Sequence, residues 1–361
     1  MKQTVLHQKQ LQLQAKMTDF QGWQVPLQYS TVLDEYHAVR TAAGLFDVSF
    51  LGRIAIRGAD AGVFLQRVFT RNIENLAAGA AAYGLLCNTS GRILDNAMLL
   101  HLPGDDGFLL CTNAANTEKI VSWLTTNAGG ANVEIADQTR SLAQFALQGP
   151  QSLPVLEKLI GTHVKALKLR GVRERKLVGT KTIVSRTGYT GEHGYELFIH
   201  ASHAEQLWDS ILEAGQESGL LPCGQGSRDM LRLEMGYALY GNEIDETRTP
   251  VESGLDRFIN FKKDFIGKDA LLKLKPEDIK QKLAGFMLLD KGIPREGGSI
   301  FSESREIGIV TSGNHSPALR NGIGLGYVIS RYAQPGQEIE IELKDREIAA
   351  KTMELPFYRK K

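Results

Sequence analysis

The chain has 361 residues, of which 42% are hydrophobic and 23% are charged, and its formal net charge is +1. That length predicts two or three packed units rather than a single core. The balanced charge excludes a general electrostatic attraction to nucleic acid or to a membrane surface, and no apolar run is long enough to span a bilayer.

The three cysteines are scattered along the chain, in apolar surroundings and without a C-x-x-C pair; they are Cys87, Cys111 and Cys223. This pattern predicts free buried thiols in a reducing cytosol, and therefore a cytoplasmic protein without structural zinc. The eight histidines show no metal-ligand spacing, so no metal site is predicted.

The first fifty residues combine a turn-rich aromatic segment, residues 19–29, with a predicted helix. Thr31 can cap that helix, with Asp34 three positions later, and Gly44 is expected to end it. Its apolar face is expected to carry Val32, Leu33, Tyr36 and Val39. Residues 45–49 then read as a short buried strand.

Between residues 52 and 142, short apolar strands alternate with glycine turns, including a hairpin turn at 88–91. Helices are predicted near 65–69 and 116–127, and the mixture is typical of an α+β unit around an antiparallel sheet. A second such unit follows. In it, Ser202 and Glu205 form a predicted capping box, and another helix is expected to start at Ser227.

Residues 244–275 are charged and irregular, as in a connector, and three later apolar segments, 307–313, 323–328 and 338–343, predict a small β-rich unit. These changes in texture predict three domains. The first α+β domain is discontinuous and comprises 1–51 and 143–275. The second comprises 52–142, and the small C-terminal domain comprises 276–361.

The segment 186–196 carries three glycines between two predicted strands, together with Tyr189 and Glu196. A solvated loop remains an alternative, whereas a phosphate cradle is disfavoured because no helix follows the glycines. We expect a pocket for a polar ligand of aromatic size, in which glutamates accept ring N–H donors and tyrosines offer flat faces. Alternation places Tyr195 and Leu197 on one side of the strand, and Glu196 and Phe198 on the other.

Three further polar groups are candidates for a site. Asp95 and Asn96 are adjacent in a strand and should point to opposite faces, so only one can enter a pocket; a plain strand-edge pair is the alternative. Asn113 ends an apolar strand, where a turn-initiating role is equally consistent. Arg228 lies in a first helical turn, where a cation opposes the helix dipole, so it either holds a carboxylate or forms a neighbouring salt bridge.

Eight segments together resemble the aminomethyltransferase family, the T-protein of the glycine cleavage system. They occur in the family's order along nearly the whole chain, at residues 20–29, 38–49, 147–150, 186–196, 228–241, 265–268, 310–313 and 316–317. Each segment alone is a weak signal, but their order and spacing together are specific.

The resemblance implies an α+β protein, a three-domain cloverleaf around a central tetrahydrofolate. It implies transfer of a methylene group from an aminomethyl-lipoyl carrier protein to tetrahydrofolate, with release of ammonia. By position, Glu196 resembles the acid that grips the pterin ring, Arg228 the arginine beside it, and Asn113 a folate-contacting asparagine. Tyr189 is expected to contact the folate, and Tyr358 resembles a C-terminal tyrosine that closes the site.

Three departures from the family pattern lie near the expected reaction centre. The family carries two consecutive aspartates where this chain has Asp95 and Asn96, and the second aspartate is the one credited with catalysis. Phe50 and Leu51 replace a His-Met pair, and Arg92 replaces the second glycine of a Gly-Gly pair. We therefore expect Asp95 and Asn96 to decide how fast this chain transfers the one-carbon unit.

Two alternatives are compatible with the same resemblance. One is a folate-binding paralogue that takes a one-carbon group from another donor. The other is a non-catalytic folate-binding helper protein, whose branch carries a cysteine in a K-G-C-Y-x-G-Q-E type motif. Residues 186–192 match that motif's position and contain no cysteine, which argues against the helper.

Overall fold

The computed structural model describes residues 1–104, 107–344 and 346–360. Its α-helices are α1 His7–Gln12, α2 Val32–Thr41, α3 Ala61–Val68, α4 Thr117–Ala128, α5 Ser152–Ile160, α6 Ala204–Gly215, α7 Gln225–Glu234 and α8 Lys268–Lys273. Its first ten strands are β1 Lys2–Gln3, β2 Lys16–Phe20, β3 Trp23–Gln28, β4 Ala43–Asp47, β5 Gly52–Arg57, β6 Ala80–Cys87, β7 Ile93–His101, β8 Phe108–Thr112, β9 Glu134–Asp137 and β10 Leu142–Gln148. The others are β11 Val172–Leu177, β12 Thr180–Ser185, β13 Gly194–His200, β14 Leu220–Pro222, β15 Gln281–Leu288, β16 Ser299–Ser302, β17 Arg305–Ser316, β18 Asn321–Ile329, β19 Glu338–Leu343 and β20 Arg346–Met353.

The chain divides into two compact units, and both are discontinuous in sequence. The first unit contains Met1–Leu86 and Asp95–Arg228, and the second contains Cys87–Leu94 and the chain from Asp229 onward. The α+β class predicted from the sequence is confirmed. The three domain boundaries, predicted from changes in the pattern of apolar, glycine-rich and charged segments, stay a prediction.

The first unit is built on a six-stranded sheet of order β11-β12-β13-β10-β4-β14 and a five-stranded sheet of order β6-β7-β8-β5-β9. On β13, Tyr195 and Leu197 belong to the apolar core that also contains residues of α5 and α6. Phe198 belongs to a separate apolar cluster with residues of β7 and β8. The alternation predicted for this strand is therefore confirmed, and Glu196 lies on the face that packs towards the five-stranded sheet.

The second unit contains a closed barrel of order β15-β18-β17-β16-β19-β20, which confirms the predicted small β-rich C-terminal unit. Residues 87–94, the tip of the β6–β7 hairpin, are held within this unit. Ile93 donates its backbone N–H to the carbonyl of Arg248 at 3.0 Å. The Arg92 guanidinium contacts Glu252 at 3.1 Å and the carbonyl of Thr247 at 2.7 Å. Arg92, one of the departures from the family pattern, thus anchors the hairpin tip.

The N-terminal segment differs from its prediction in two respects. Residues 19–29 are mostly strand rather than turn, because β2 and β3 pair with each other. Helix α2 is capped by Thr31 as predicted, since Thr31 Oγ1 accepts the N–H of Asp34 at 3.0 Å. It ends at Thr41 rather than at Gly44. Gly44 lies within β4 instead, and a Cβ at this position would come within 2.4 Å of the Val39 side chain.

The apolar face predicted for α2 was wrong at one position. Leu33 is 47% exposed, whereas Glu35 is fully buried. The Glu35 carboxylate accepts the backbone N–H groups of Tyr29 and Gly224 at 2.6 and 2.8 Å and the hydroxyl of Ser227 at 3.1 Å. The backbone N–H of Ser30 donates a fourth hydrogen bond at 3.1 Å, and together these bonds offset the cost of burying the carboxyl group.

The capping box predicted for α6 was also wrong. The Ser202 hydroxyl lies 2.8 Å from His200 Nδ1 and 2.9 Å from His203 Nδ1, and α6 begins at Ala204 without a side-chain cap. Helix α7 begins at Gln225, two residues before the predicted start. The connector at 244–275 includes the short helix α8.

All three cysteines are free and buried, as predicted from their surroundings. Among the helices in the described parts of the chain, none is both long enough and apolar enough to cross a membrane.

Candidate functional site

Glu196 lies in the middle of β13, and both of its carboxylate oxygens are held by neighbouring side chains. Oε1 accepts the amide N–H of Gln144 at 3.0 Å, and Oε2 accepts the hydroxyl of Thr187. Thr187 is in turn 2.6 Å from the hydroxyl of Ser185, the residue opposite Glu196 on β12. The carboxylate is therefore fixed in orientation while each of its oxygens keeps a further lone pair for a donor.

Arg228, the fourth residue of α7, is only 8% exposed. Burial lowers the pKa of Arg228, and the carboxylate of Glu196 and then the Tyr189 side chain oppose that effect. The Tyr189 ring centroid lies 5.0 Å from the guanidinium carbon, within the range of a cation–π contact. The structure thus brings together three of the predicted site residues, an acid, a base and an aromatic ring.

The Arg228 guanidinium donates no hydrogen bond to any residue in the described ranges. A buried guanidinium carries five N–H donors, and leaving them without acceptors costs free energy. This arrangement favours a ligand with an acceptor group, such as a carbonyl oxygen, beside Arg228.

Sequence reasoning overlooked Gln144, which is 1% exposed and lies on β10. Glu196 is opposite Ala146 in the pairing of β10 with β13, so Gln144, two residues earlier, shares the face of Glu196. The sequence did contain a sign of this. Gln144 and Gln148 are four residues apart in an otherwise apolar strand, so their side chains point to the same face. Their common face could have been recognised as polar.

Asp95 is fully buried at the start of β7 and forms the centre of a second polar cluster. Its Oδ1 accepts Asn113 Nδ2 at 2.7 Å and Asn116 Nδ2 at 2.8 Å, and its Oδ2 accepts the backbone N–H of Asn113 at 3.0 Å. All three partners are donors, so the position suits an acceptor-only carboxylate. Asp95 is thus used to hold the chain that follows β8.

Asn96 is partly exposed and uses both ends of its amide. Its Nδ2 lies 3.1 Å from the hydroxyl of Tyr83, and its Oδ1 accepts Asn113 Nδ2 at 2.7 Å. Asp95 and Asn96 therefore differ in burial, in line with their alternation, yet both reach the amide of Asn113. Their predicted catalytic roles stay a prediction.

The two polar clusters belong to sheets that pack on each other within the first unit. Cys111 of β8 and Phe198 of β13 lie in one apolar cluster. Burial raises the pKa of the Cys111 thiol, and the carboxylate of Glu196 raises it further. Asn113 follows Cys111 by two residues. Strand β8, which leads to Asn113, therefore runs close to Glu196 on β13.

A narrow cavity beside this region is lined by Arg228 and by apolar and polar groups of the N-terminal segment; its other lining residues are Val25, Pro26, Phe46, Asp47, Phe50, Cys223, Gly224 and Gln225. Phe50, which replaces the histidine of the family pattern, is 3% exposed and packs edge-on against Phe20 at 5.3 Å between ring centroids. This wall of the cavity is therefore apolar.

Tyr358 lies in the second unit, where its backbone N–H donates to the carbonyl of Glu234 at 2.9 Å. Its predicted role in closing the site stays a prediction.

The raised pKa of Asp95 predicts that the free energy of unfolding depends on pH. Burial raises the pKa of Asp95 from 3.8 to about 6, against the opposing hydrogen bonds from Asn116 and Asn113. The folded state then binds more protons than the unfolded state between these values, so the contribution of Asp95 is full below pH 4 and is lost as the pH rises through 6. The loss is about 3 kcal/mol.

The measurement is the free energy of unfolding in urea at pH 4, 5, 6 and 7, for wild type and Asp95→Asn. Subtracting the two removes the contributions of all other groups. We expect wild type to lose about 3 kcal/mol relative to the variant between pH 4 and pH 7. A difference that does not change with pH would contradict the raised pKa.

Comparison with known proteins identifies relatives over the whole chain. Residues 6–263 match the family model described as the GCVT N-terminal domain, and residues 281–359 match the glycine cleavage T-protein C-terminal barrel domain. An aminomethyltransferase of Caldanaerobacter subterraneus is 42% identical, with 100% of this chain and 96% of the relative covered. One from Clostridium botulinum (strain Loch Maree) is 44% identical, with 96% and 94% covered.

A solved structure is similar in fold as well as in sequence. The crystal structure of glycine cleavage system aminomethyltransferase T from Bartonella henselae superposes with a TM-score of 0.92 at 30% identity. The match covers 99% of this chain and 98% of that one.

Proposed function

Because this chain belongs to the glycine cleavage T-protein family and is an aminomethyltransferase, we propose that tetrahydrofolate is its acceptor and an aminomethyl-lipoyl carrier protein its donor. The family match over both parts of the chain is the observation that carries the proposal. The three free buried thiols favour a reducing compartment such as the cytosol.

The residues around Glu196 fit a reduced pterin. The ring of tetrahydrofolate has an edge with N–H donors and a carbonyl oxygen, and the Glu196 carboxylate and the Arg228 guanidinium supply the matching acceptor and donor. Tyr189 beside Arg228 offers a flat aromatic face to such a ring. We therefore assign Glu196, Arg228 and Tyr189 to the pterin end of the site, with Asn113 as a further folate contact.

Tetrahydrofolate, when bound, supplies the amine nitrogens that take up the one-carbon unit. In the balanced reaction the methylene group leaves the lipoyl sulfur and its own nitrogen, both carried by the donor. It becomes bonded to folate nitrogen, while ammonia and the lipoyl thiol are released. No oxidant or reductant is needed. The role of this chain is to hold both partners in one geometry and to exclude water from the reactive methylene group.

Asn96 and its neighbours are assigned to the one-carbon end of the site. The carbon that is transferred carries positive charge as its bond to nitrogen or sulfur breaks, and nearby oxygen atoms stabilise that charge. Asn96 presents an amide where the family has a carboxylate, and Asp95 is occupied by three hydrogen bonds. The assignment implies a slower transfer step than a carboxylate at position 96 would give.

The experiment is a reconstitution with tetrahydrofolate and an aminomethyl-loaded lipoyl carrier protein. We expect ammonia and methylene-tetrahydrofolate to form in equal amounts, at a rate proportional to the concentration of this protein. The control is the same carrier without the aminomethyl group. Tight binding of tetrahydrofolate without either product would favour a folate-binding relative with another donor.

A further inference from the structure

In the side-chain amide of Gln144, the nitrogen donates a hydrogen bond, whereas the oxygen has no hydrogen-bond partner in the described part of the chain. Its Nε2 donates to Glu196 Oε1 at 3.0 Å, whereas its Oε1 is buried and has no hydrogen-bond partner within the part of the chain that the structure describes. Buried acceptors are rarely left unsatisfied in proteins, so each exception calls for an explanation. A ligand donor is one such explanation.

The orientation of this amide is set by Glu196. If the amide were turned over, Oε1 would face a carboxylate oxygen at 3.0 Å, and two acceptors would repel each other. With Nε2 towards Glu196, the unpartnered Oε1 stays next to the carboxylate, because the two atoms belong to one planar group. The site therefore presents three neighbouring acceptor atoms, two from Glu196 and one from Gln144.

The number of acceptors matches the number of donors on one type of ring edge. A 2-amino-4-oxopyrimidine ring has one ring N–H and an amino group with two N–H donors. A carboxylate that binds such an edge with both oxygens satisfies the ring N–H and one amino N–H. The second amino N–H is then left over, and in a water-excluded site it needs an acceptor.

We propose that Gln144 Oε1 accepts this second amino N–H, which makes Gln144 a specificity-determining residue that requires an exocyclic amine on the ligand. The inference rests on the proposed function, since it assigns the ligand held by Glu196 to the folate class. Gln144 thereby has two roles in one side chain. Its N–H group orients the Glu196 carboxylate, and its Oε1 accepts a hydrogen bond from the exocyclic amine of the ligand.

The test compares two ligands on two proteins by titration calorimetry. The ligands are tetrahydrofolate and its 2-desamino-2-methyl analogue, which keeps the ring N–H but lacks the amine. In Gln144→Met, which preserves side-chain length, we expect affinity for tetrahydrofolate to fall about tenfold or more, and affinity for the analogue, which loses only the orienting bond to Glu196, to fall by about threefold. Gln138→Met, outside this network, is the matched control and should bind both ligands like wild type.

A role limited to orienting Glu196 gives a different result, because Glu196 contacts the ring N–H of both ligands. Equal losses for the two ligands in Gln144→Met, or no loss for either, would overturn the inference while leaving the proposed function intact. If wild type binds neither ligand, the proposed function fails and the inference fails with it. Circular dichroism establishes folding, and Gln144→Ser replaces the methionine variant if that one does not fold.

Discussion

Asn96→Asp is expected to raise the rate of methylene transfer by at least about tenfold. A carboxylate in a dry site stabilises a developing cation by several kcal/mol, whereas a neutral amide supplies only a dipole. A deficit of even about 3 kcal/mol corresponds to roughly a hundredfold in rate. Asp95 does not substitute, since its oxygens are fully buried and already accept from Asn113 and Asn116.

The local geometry can accept the new carboxylate. Asn113 Nδ2 donates to Oδ1 of residue 96 in either form, and the Tyr83 hydroxyl, which lies 3.1 Å from Nδ2, can turn to donate to an oxygen. The measurement is a single-turnover rate with tetrahydrofolate and the loaded carrier protein. Asn75→Asp, at an exposed position, makes the same charge change as a control. If wild type is already fast and Asn96→Asp gains nothing, the chemistry depends on other groups.

Glu196→Ala is expected to weaken tetrahydrofolate binding by about 2 kcal/mol or more, which is about thirtyfold in Kd. The variant removes the charged acceptor of the ring N–H groups, and it also leaves Arg228 buried without the carboxylate that stabilises its charge. Glu196→Gln keeps the shape and isolates the charge, so its affinity should fall between those of wild type and Glu196→Ala.

Titration calorimetry on the three proteins gives these affinities directly. Glu205→Ala, which removes an exposed acid from α6, is the control for a change in net charge. Equal affinity of wild type and Glu196→Ala for tetrahydrofolate would remove Glu196 from the pterin site.

Local patterns in the sequence were sufficient where a feature depends on neighbours in the chain. The faces of β13 follow from strand alternation, and the cap at Thr31 follows from the spacing of a hydroxyl and the N–H it accepts. Three of the six strands of the C-terminal barrel, β17, β18 and β19, were likewise visible as apolar segments between turns.

The remaining features depend on partners that are distant in sequence. Glu35 is buried because its partners Gly224 and Ser227, 189 and 192 residues away in sequence, lie beside it in the folded chain. Gln144 joins the site because β10 pairs with β13 in one particular register, which no local pattern specifies. The family resemblance named Glu196, Arg228, Asn113 and the pair Asp95 and Asn96, whose roles stay a prediction. Gln144 and Thr187, which contact Glu196 in the folded chain, and Tyr83, which contacts Asn96, were not named.

The discontinuity of both units has a consequence for how the chain is made. Residues 87–94 leave the ribosome early, but their partners Arg248 and Glu252 are synthesised more than 150 residues later. During translation the hairpin tip therefore lacks its hydrogen-bond partners until they are synthesised, while the strands on either side of it can already pair. For the same reason, a gene cut after Arg228 would give a second fragment that lacks residues 87–94 and therefore part of the second unit. The first fragment would keep all residues of the first unit, together with a hairpin tip that lacks its partners from the second unit.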